Sequence, residues 1–248
     1  MKYNLCIPIP IRYTTIKEVK PIIEKVIKSK PNLIELRFDY ISNVNTLSVD
    51  FIRDLLNIIR PHAAVIFTFR DSSEGGQIQI EQNERFKIYK LFIAVKPDYV
   101  DLEMNTDKDI LKEIINLSSQ KGVKLIVSHH NYEKTLTYEE GISLIHDFHE
   151  YLIKVLLIKP KILEDNIYKI IFTAQTFEDN LIPLKVCKEF SNSNQKIISF
   201  CMGTLGFFSR IMCVIKGSFL TYASLEEKTA PGQINIEKMK EIYDLILD

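Results

Sequence analysis

Short runs of apolar, often β-branched residues alternate along the chain with longer segments in which apolar residues recur every three or four positions. The short runs predict β-strands and the longer segments predict amphipathic helices. Eight strands are predicted, at residues 4–9, 33–38, 63–68, 99–102, 123–128, 152–158, 196–201 and 218–223. Helices are predicted at residues 16–28, 49–60, 80–95, 107–120, 138–149, 205–215 and 236–247, with one more after Pro160.

Most of the predicted strands are nearly continuous apolar runs, which is typical of parallel strands buried on both faces. Eight strand–helix units in 248 residues predict an α/β protein with a single (β/α)8 TIM barrel, residues 1–248 forming one domain. A doubly wound open sheet is the alternative, but no GxGxxG or Walker sequence follows a predicted strand. Residues 160–195 are the least regular part, where we expect a helix, a turn near Pro183 and a second short element.

Composition excludes several classes of protein. Lys and Arg together number 32, and so do Asp and Glu, so no basic surface directs the chain to nucleic acid. The first residues lack the pattern of a signal peptide, and no apolar run reaches about 18 residues, so no membrane span is expected. The four cysteines show no CxxC spacing, and His146 and His149 have no third ligand beside them. We therefore expect a cytoplasmic protein with reduced thiols and no metal.

Glycine is scarce, and its positions are informative. The chain has eight glycines, and five of them lie in the segments EGG, GTLG and APGQ: Gly75, Gly76, Gly203, Gly206 and Gly232. Such sparing use predicts that these positions need a positive φ or a close approach of backbones, although ordinary turns would also fit.

Charged and polar side chains stand within or just after the C-terminal ends of the predicted strands. The set comprises Glu35, Arg37, Asp39, Arg70, Glu74, Asp101, Glu103, His129, His130, Arg210 and Gln233. In a barrel these ends meet on one face, which is where active sites form. Burying a charge without a partner is costly, so the set predicts a functional site. The alternative is a lining of structural ion pairs, for example between Glu35 and Arg37.

Lys154 stands inside the apolar run YLIKVLLIKP, the predicted sixth strand. A lysine on a strand buried on both faces loses hydration, which favours the neutral amine that forms a Schiff base with a carbonyl. A structural lysine paired with a barrel carboxylate fits equally well. Lys159, at the end of the same run, is expected to be solvated.

Two adjacent histidines end the predicted fifth strand, which neighbours the sixth in a barrel. Successive side chains of a strand point to opposite faces, so either His129 or His130 can face the site, but not both. An imidazole beside an imine is suited to move protons during dehydration. The residues alone do not decide between the two.

The segments ELRFD, FTFRDSSEGG, VDLE, VSHHN, KVLLI, MGTLGFFSR and TAPGQI, in this order, resemble those of the type I 3-dehydroquinate dehydratase (type I 3-dehydroquinase) family. The resemblance extends from about Leu5 to the C-terminus. It implies a (β/α)8 barrel and a hydro-lyase of the shikimate pathway, which leads to chorismate and the aromatic amino acids. It also implies syn elimination of water from 3-dehydroquinate to give 3-dehydroshikimate through a lysine Schiff base, no cofactor, and a homodimer.

The resemblance assigns roles to three catalytic residues. Lys154 matches the lysine of the Schiff base, and His130 matches the catalytic histidine. Glu74 matches the carboxylate that orients that histidine. His129 occupies a variable position of the motif and is expected to face the helices or the adjoining loop.

Substrate contacts also follow from the resemblance. They are implied for Glu35, Arg37, Arg70, Arg210, Thr229, Gln233, Met202, Tyr222 and Ala230. Arg210 matches a clamp for the substrate carboxylate, and the loop EEKTAPGQI is expected to act as a lid that orders on binding. Tyr222 stands where phenylalanine is common, a difference expected to affect packing more than chemistry.

Two other functions are weighed against this one. A different Schiff-base barrel enzyme, similar to a class I aldolase, would need a phosphate site on the loops after strands seven and eight. Arg210 and Gln233 suit a carboxylate better than a phosphate. A non-catalytic barrel that only binds a ligand is the second alternative, and the filled catalytic positions argue against it.

Overall fold

The computed structural model describes residues 3–193, 195–227 and 229–247. Its strands are β1 (Leu5–Pro10), β2 (Leu33–Arg37), β3 (Ala64–Thr68), β4 (Tyr99–Glu103), β5 (Lys124–His130), β6 (Ile167–Thr173), β7 (Ile197–Met202), β8 (Thr221–Ser224) and β9 (Ile234–Asn235). Its helices are α1 (Ile16–Lys28), α2 (Val49–Ile59), α3 (Gln82–Val95), α4 (Lys108–Lys121), α5 (Tyr138–Lys154), α6 (Pro160–Leu163), α7 (Leu181–Asn192), α8 (Phe207–Met212) and α9 (Ile236–Leu247).

The strands form one curled sheet in the order β7-β6-β5-β4-β3-β2-β1-β8-β9. The ladders are parallel, as the continuous apolar runs predict. Where β7 meets the segment that leads into β8, the Phe219 N–H donates to the Ile197 carbonyl at 2.7 Å. Helices follow the strands in sequence, so the predicted single α/β barrel is confirmed.

Helix ends follow local sequence signals. Thr137 and Glu140 form a capping box at the start of α5, in which each side chain accepts a hydrogen bond from the backbone N–H of the other residue. Gly122 ends α4 in the left-handed conformation, with φ +71°. In α2, Ser48 caps the first turn by accepting from the Phe51 N–H. These signals set where each helix begins or ends around the barrel.

The prediction of a sixth strand at residues 152–158 is wrong. The first residues of that run end α5, and the chain then turns through Leu157, which has φ +57°. Ile145, Phe148 and Leu152 are buried at spacings of three and four, so the apolar pattern continues the helix. The sixth strand of the barrel is β6, about fifteen residues further along the chain.

The layout of residues 160–195 also differs from the prediction. Helix α6 is a single turn, and β6 and α7 follow it. Pro183 does not mark a turn between elements but lies in the first turn of α7. A proline costs no helical hydrogen bond there, because the N–H groups of a first turn have no partner within the helix.

The expectation for the scarce glycines is confirmed. Gly75, Gly203 and Gly232 have positive φ values. At Gly206, which precedes α8, a Cβ atom would lie 2.4 Å from the Met202 carbonyl oxygen. Only glycine fits there, because the turn from β7 into α8 brings the backbone too close for a side chain.

Within the described parts of the chain, no helix is long and apolar enough to cross a membrane.

Candidate active site

A pocket of about 460 Å³, its open mouth included, lies at the C-terminal ends of the barrel strands. Its lining comprises Glu35, Arg37, Arg70, His130, Tyr132, Lys169, Ile171, Phe200, Met202, Arg210, Tyr222, Thr229, Ala230 and Gln233. All nine residues for which substrate contacts are predicted are among them, together with His130. Glu74 lies behind His130, and Lys154 does not line the pocket.

Lys154 does not fit the predicted role of the lysine that forms the Schiff base. Its side chain is 68% exposed at the end of α5, and Nζ donates to Glu150 Oε2 at 2.8 Å. The placement of Lys154 at the active site is therefore wrong, because the residue belongs to a helix rather than to a barrel strand. The lysine of the pocket is Lys169 on β6, whose side chain is 5% exposed.

Sequence reasoning missed Lys169, although the chain carried a signal for it. Lys169 is flanked by Tyr168, Ile170 and Ile171, aromatic and β-branched residues that favour strands. No glycine, proline or asparagine separates the predicted helix at 138–149 from residue 152, so nothing marked the end of that helix.

Lys169 and Arg70 share one buried carboxylate. Asp101 Oδ2 accepts from Lys169 Nζ at 2.8 Å and lies 2.9 Å from Arg70 Nη2. The Ser128 hydroxyl donates to Asp101 Oδ1 at 2.6 Å. Burial opposes ionisation of Asp101, but Arg70, Lys169 and Ser128 outweigh it, and its pKa lies well below the usual range. Asp101 is therefore a fixed negative charge beneath the pocket.

The carboxylate of Glu74 holds the ring of His130. Glu74 Oε2 accepts from the His130 backbone N–H at 3.0 Å and lies 2.9 Å from His130 Nδ1. Because Nδ1 faces this acceptor, Nε2 is the ring nitrogen left for the pocket. Burial lowers the pKa of His130 well below 6.5, and the positive charges of Arg70 and Lys169 act in the same direction. His130 is therefore neutral near pH 7, as a general base must be.

Burial also raises the pKa of Glu74, to about 8. A proton on Oε1 leaves Oε2 as the acceptor of both bonds to His130. Glu74 Oε1 is buried and has no hydrogen-bond partner among the described residues. His129 Nδ1 lies 3.9 Å from it. His129 thus lies beside the adjoining loop, at 30% exposure, and is not part of the pocket lining.

Arg210 is a buried cation without a carboxylate partner among the described residues. It is 1% exposed and packs over the ring of Phe200, with 4.4 Å from Cζ to the ring centroid. Its Nη2 donates to the Pro231 carbonyl at 3.2 Å, whereas its Nε has no partner in the described chain. Burial lowers its pKa to about 10, so it stays charged at neutral pH. The pocket wall thus offers a positive charge to an anion.

The segment 229–233 lies over the pocket beside Arg210. The Thr229 N–H donates to Gln233 Oε1 at 2.9 Å, and Gln233 Nε2 donates to Thr229 Oγ1 at 3.1 Å. Gly232 has φ +78°, and a Cβ atom there would lie 2.4 Å from the Gly203 carbonyl oxygen. The segment therefore packs directly on the loop between β7 and α8.

The remaining polar residues of the pocket are already bonded to the barrel. Arg37 donates to both carboxylate oxygens of Asp39 at 2.8 Å, and Glu35 Oε1 accepts from the Thr68 hydroxyl at 2.6 Å. Arg37 therefore does not form the ion pair with Glu35 that was the structural alternative. No cluster of three metal-binding side chains occurs in the part of the chain that the structure describes.

The family model for type I 3-dehydroquinase matches residues 5–248. The chain belongs to the type I 3-dehydroquinase family. The predicted resemblance is confirmed, and with it the assignment of the chain as a hydro-lyase.

The relatives of this chain match nearly its whole length. A 3-dehydroquinate dehydratase of Thermococcus onnurineus is 30% identical over 94% of this chain and 95% of its own. The crystal structure of type I 3-dehydroquinate dehydratase from Clostridium difficile with covalently modified comenic acid has a TM-score of 0.79 at 25% identity, covering 98% of this chain and 92% of its own. The enzyme from Aquifex aeolicus has a TM-score of 0.76 at 26% identity, covering 98% of both chains.

Proposed function

We propose that the protein removes water from 3-dehydroquinate to give 3-dehydroshikimate, through an imine on Lys169. The observation that carries the proposal is that one pocket is lined by the buried amine of Lys169 and by the buried guanidinium of Arg210, which has no carboxylate partner among the described residues. A substrate that reacts with the amine and pairs with the guanidinium carries a ketone and a carboxylate, as 3-dehydroquinate does. His130, held by Glu74, supplies a neutral base in the same pocket.

The first stage forms the imine. The lone pair of the Lys169 amine attacks the C3 ketone, and one proton passes from the nitrogen to the oxygen to give a neutral carbinolamine. The carbinolamine takes up one proton from water at the open mouth of the pocket and loses its hydroxyl as water, which leaves an iminium ion. Hydrolysis of the product imine later gives that proton back. Asp101 remains beside the nitrogen throughout, so the positive charge keeps its counter-ion.

The second stage is the elimination. The iminium draws electrons from C2, whose proton becomes acidic, and His130 removes it. The resulting enamine expels the C1 hydroxyl, which takes the proton from His130 and leaves as water. One residue acting first as base and then as acid is consistent with syn elimination. Hydrolysis of the product imine frees Lys169.

Other pocket residues orient the substrate in this proposal. Arg210 holds the carboxylate, and Thr229 and Gln233 close over the ring. Glu35 and Arg37 face the hydroxyl groups. Arg70 contacts Asp101 and Glu103 as well as lining the pocket, so it also holds the counter-ion of Lys169 in place. The homodimer and the cytoplasmic location remain predictions.

Trapping with borohydride tests the proposal. The protein is mixed with 3-dehydroquinate, borohydride is added, and the adduct is mapped by mass spectrometry of peptides. We expect a reduced adduct on Lys169 and, without borohydride, the absorbance of 3-dehydroshikimate. An adduct on Lys154, or neither adduct nor absorbance, contradicts the proposal.

The Arg210→Gln variant is expected to raise KM about 10- to 100-fold. Hydrogen bonds to charged groups contribute about 1.5–3 kcal/mol, and about 1.4 kcal/mol corresponds to a factor of ten. Because the carboxylate is carried by C1, the carbon that loses the hydroxyl, a substrate that is no longer held there is also misplaced for elimination, and kcat falls as well. Steady-state kinetics measures both. The control is Arg53→Gln, which removes an exposed ion pair with Asp50 on α2 and leaves KM unchanged. Equal KM values for Arg210→Gln and the parent protein contradict the carboxylate clamp.

The pH dependence of kcat/KM is expected to reflect the low pKa of His130. The neutral imidazole is the active form, so activity is present above the pKa of His130 and is lost as the pH falls through it. Because burial, Arg70 and Lys169 all lower that pKa, the acidic limb lies below pH 6.5. A pH–rate profile checks this, and an acidic limb centred above pH 6.5 disagrees with it.

A further inference from the structure

The hydroxyl group of Tyr222 is hydrogen-bonded to the amine of Lys169. The residue lies on β8 and is 5% exposed. Lys169 Nζ donates to the Tyr222 hydroxyl oxygen at 3.2 Å and lies 4.9 Å from the centroid of its ring. The family resemblance requires no hydroxyl at this position, where phenylalanine is common. The oxygen is thus an addition to the pocket of this chain.

The tyrosine hydroxyl still has a proton to donate. Among the described residues its only hydrogen bond is the one that its oxygen accepts from Lys169. The residue lines the pocket, so the O–H can reach a substrate atom bound to the amine. Burial raises the pKa of Tyr222 well above 10, with Glu35, Cys6 and Asp101 acting in the same direction and Arg70 opposing them. The phenol therefore keeps its proton at neutral pH.

The other group that contacts the amine cannot act in this way. Asp101 Oδ2 accepts from Lys169, but Arg70 and Ser128 already hold this carboxylate in its ionised form. It has no proton to give, and its low pKa makes it a poor acceptor of one. Of the two groups hydrogen-bonded to Nζ in the described part of the chain, only Tyr222 can take up a proton and give one at the same time.

We propose that Tyr222 is a catalytic residue that passes a proton from the amine of Lys169 to the carbonyl oxygen of the substrate as the carbinolamine forms. This role rests on the proposed function, since it requires imine chemistry at Lys169. It makes Tyr222 part of the first stage of the reaction and leaves the second stage to His130.

The step balances as follows. The lone pair of Nζ forms the C–N bond at C3, and the π electrons of the C=O bond move to the oxygen. The nitrogen becomes positive and the oxygen negative. The Tyr222 O–H proton passes to that oxygen, while the phenol oxygen takes one N–H proton. The products are a neutral carbinolamine and an unchanged phenol, and no charge separation remains between the nitrogen and the oxygen of the carbinolamine.

Tyr222, the proposed relay, and His130, the base, lie on different strands of the barrel. His130 is on β5, which borders β6 on one side. Tyr222 is on β8, whose leading segment is hydrogen-bonded to β7 on the other side of β6. The ring of Tyr222 packs edge-on against Phe200 of β7, with 6.1 Å between centroids. The two proton-transfer groups therefore approach the lysine from different sides of the barrel.

The Tyr222→Phe variant tests the proposal, because it removes one oxygen and keeps the ring. The protein is mixed rapidly with 3-dehydroquinate, quenched with borohydride at a series of times, and assayed for reduced adduct on Lys169, in H2O and in D2O. We expect the adduct to form at least about tenfold more slowly than in the parent protein, a small share of what general acid–base groups contribute. We also expect the slowing in D2O to be smaller in the variant than in the parent protein.

Tyr168→Phe is the matched control. It removes a hydroxyl from the residue next to Lys169, one that lies 2.6 Å from His149 Nδ1 and outside the pocket lining. We expect it to form the adduct at the rate of the parent protein. Equal rates for Tyr222→Phe and the parent protein overturn the relay, and so does equal slowing in both variants. Absence of adduct in the parent protein instead overturns the proposed function itself, so the two failures are distinguishable.

Discussion

Turnover is expected to be lost when Lys169 is replaced by methionine. The variant keeps the side-chain stem but has no amine to form the imine, so neither product absorbance nor a borohydride adduct appears. Asp101 retains Arg70 and Ser128, so the barrel is not left with an unpaired carboxylate. A spectrophotometric assay for 3-dehydroshikimate, with a melting curve to confirm folding, measures the effect.

Lys154→Met is the matched control for this variant. Lys154 lies on the exposed end of α5, and its solvent-exposed ion pair with Glu150 contributes little to stability. We expect activity equal to that of the parent protein. Loss of activity in Lys154→Met, with activity retained in Lys169→Met, would return the nucleophile to the position that the sequence alone favoured.

His130→Ala is expected to lower kcat by about 100- to 10,000-fold for each proton-transfer step that becomes limiting. The variant loses the neutral imidazole whose Nδ1 contacts Glu74, while Lys169, Asp101 and Tyr222 remain. The adduct on Lys169 therefore still forms at long mixing times, although product does not accumulate at a comparable rate. Steady-state kinetics together with trapping separates the two stages.

The neighbouring histidine provides the control. His129 carries the same side chain one residue earlier on β5, but it lies beside the loop of Glu74 and outside the pocket lining. We expect His129→Ala to lower kcat less than tenfold. If the two variants are equally damaged, the assignment of the pair is wrong.

Much of the barrel could be predicted because its strands are buried on both faces. The runs at 33–38 and 99–102 differ from β2 and β4 by a single residue at one end. The sixth strand could not be assigned in the same way. Leu152, Leu156 and Ile158 are as deeply buried as strand residues, yet they belong to a helix end and a loop. A short apolar run indicates that its residues are buried, but it does not distinguish a strand from the end of a helix.

The site was predictable where its residues are local to a strand end and not where they depend on closure of the barrel. His130 and Glu74 belong to recognisable motifs, and the structure brings them within hydrogen-bonding distance. The contact of Lys169 with Tyr222 joins residues 53 positions apart, on strands that the sequence does not place side by side. That Arg210 has no carboxylate partner within residues 3–193, 195–227 and 229–247 likewise depends on how the chain folds.

The carboxylate that Lys169 shares with Arg70 has a consequence for the cost of catalysis. In the proposed reaction the positive charge of the iminium forms at nearly the point where Lys169 Nζ already donates to Asp101 in the free protein. The counter-ion is therefore in place before the covalent bond forms. Dipoles and counter-ions that were oriented during folding therefore need little reorientation during turnover, which is the condition under which a preorganised site stabilises charge most effectively. The free energy that burial of a lysine inside the barrel costs during folding therefore lowers the reorganisation energy of the reaction.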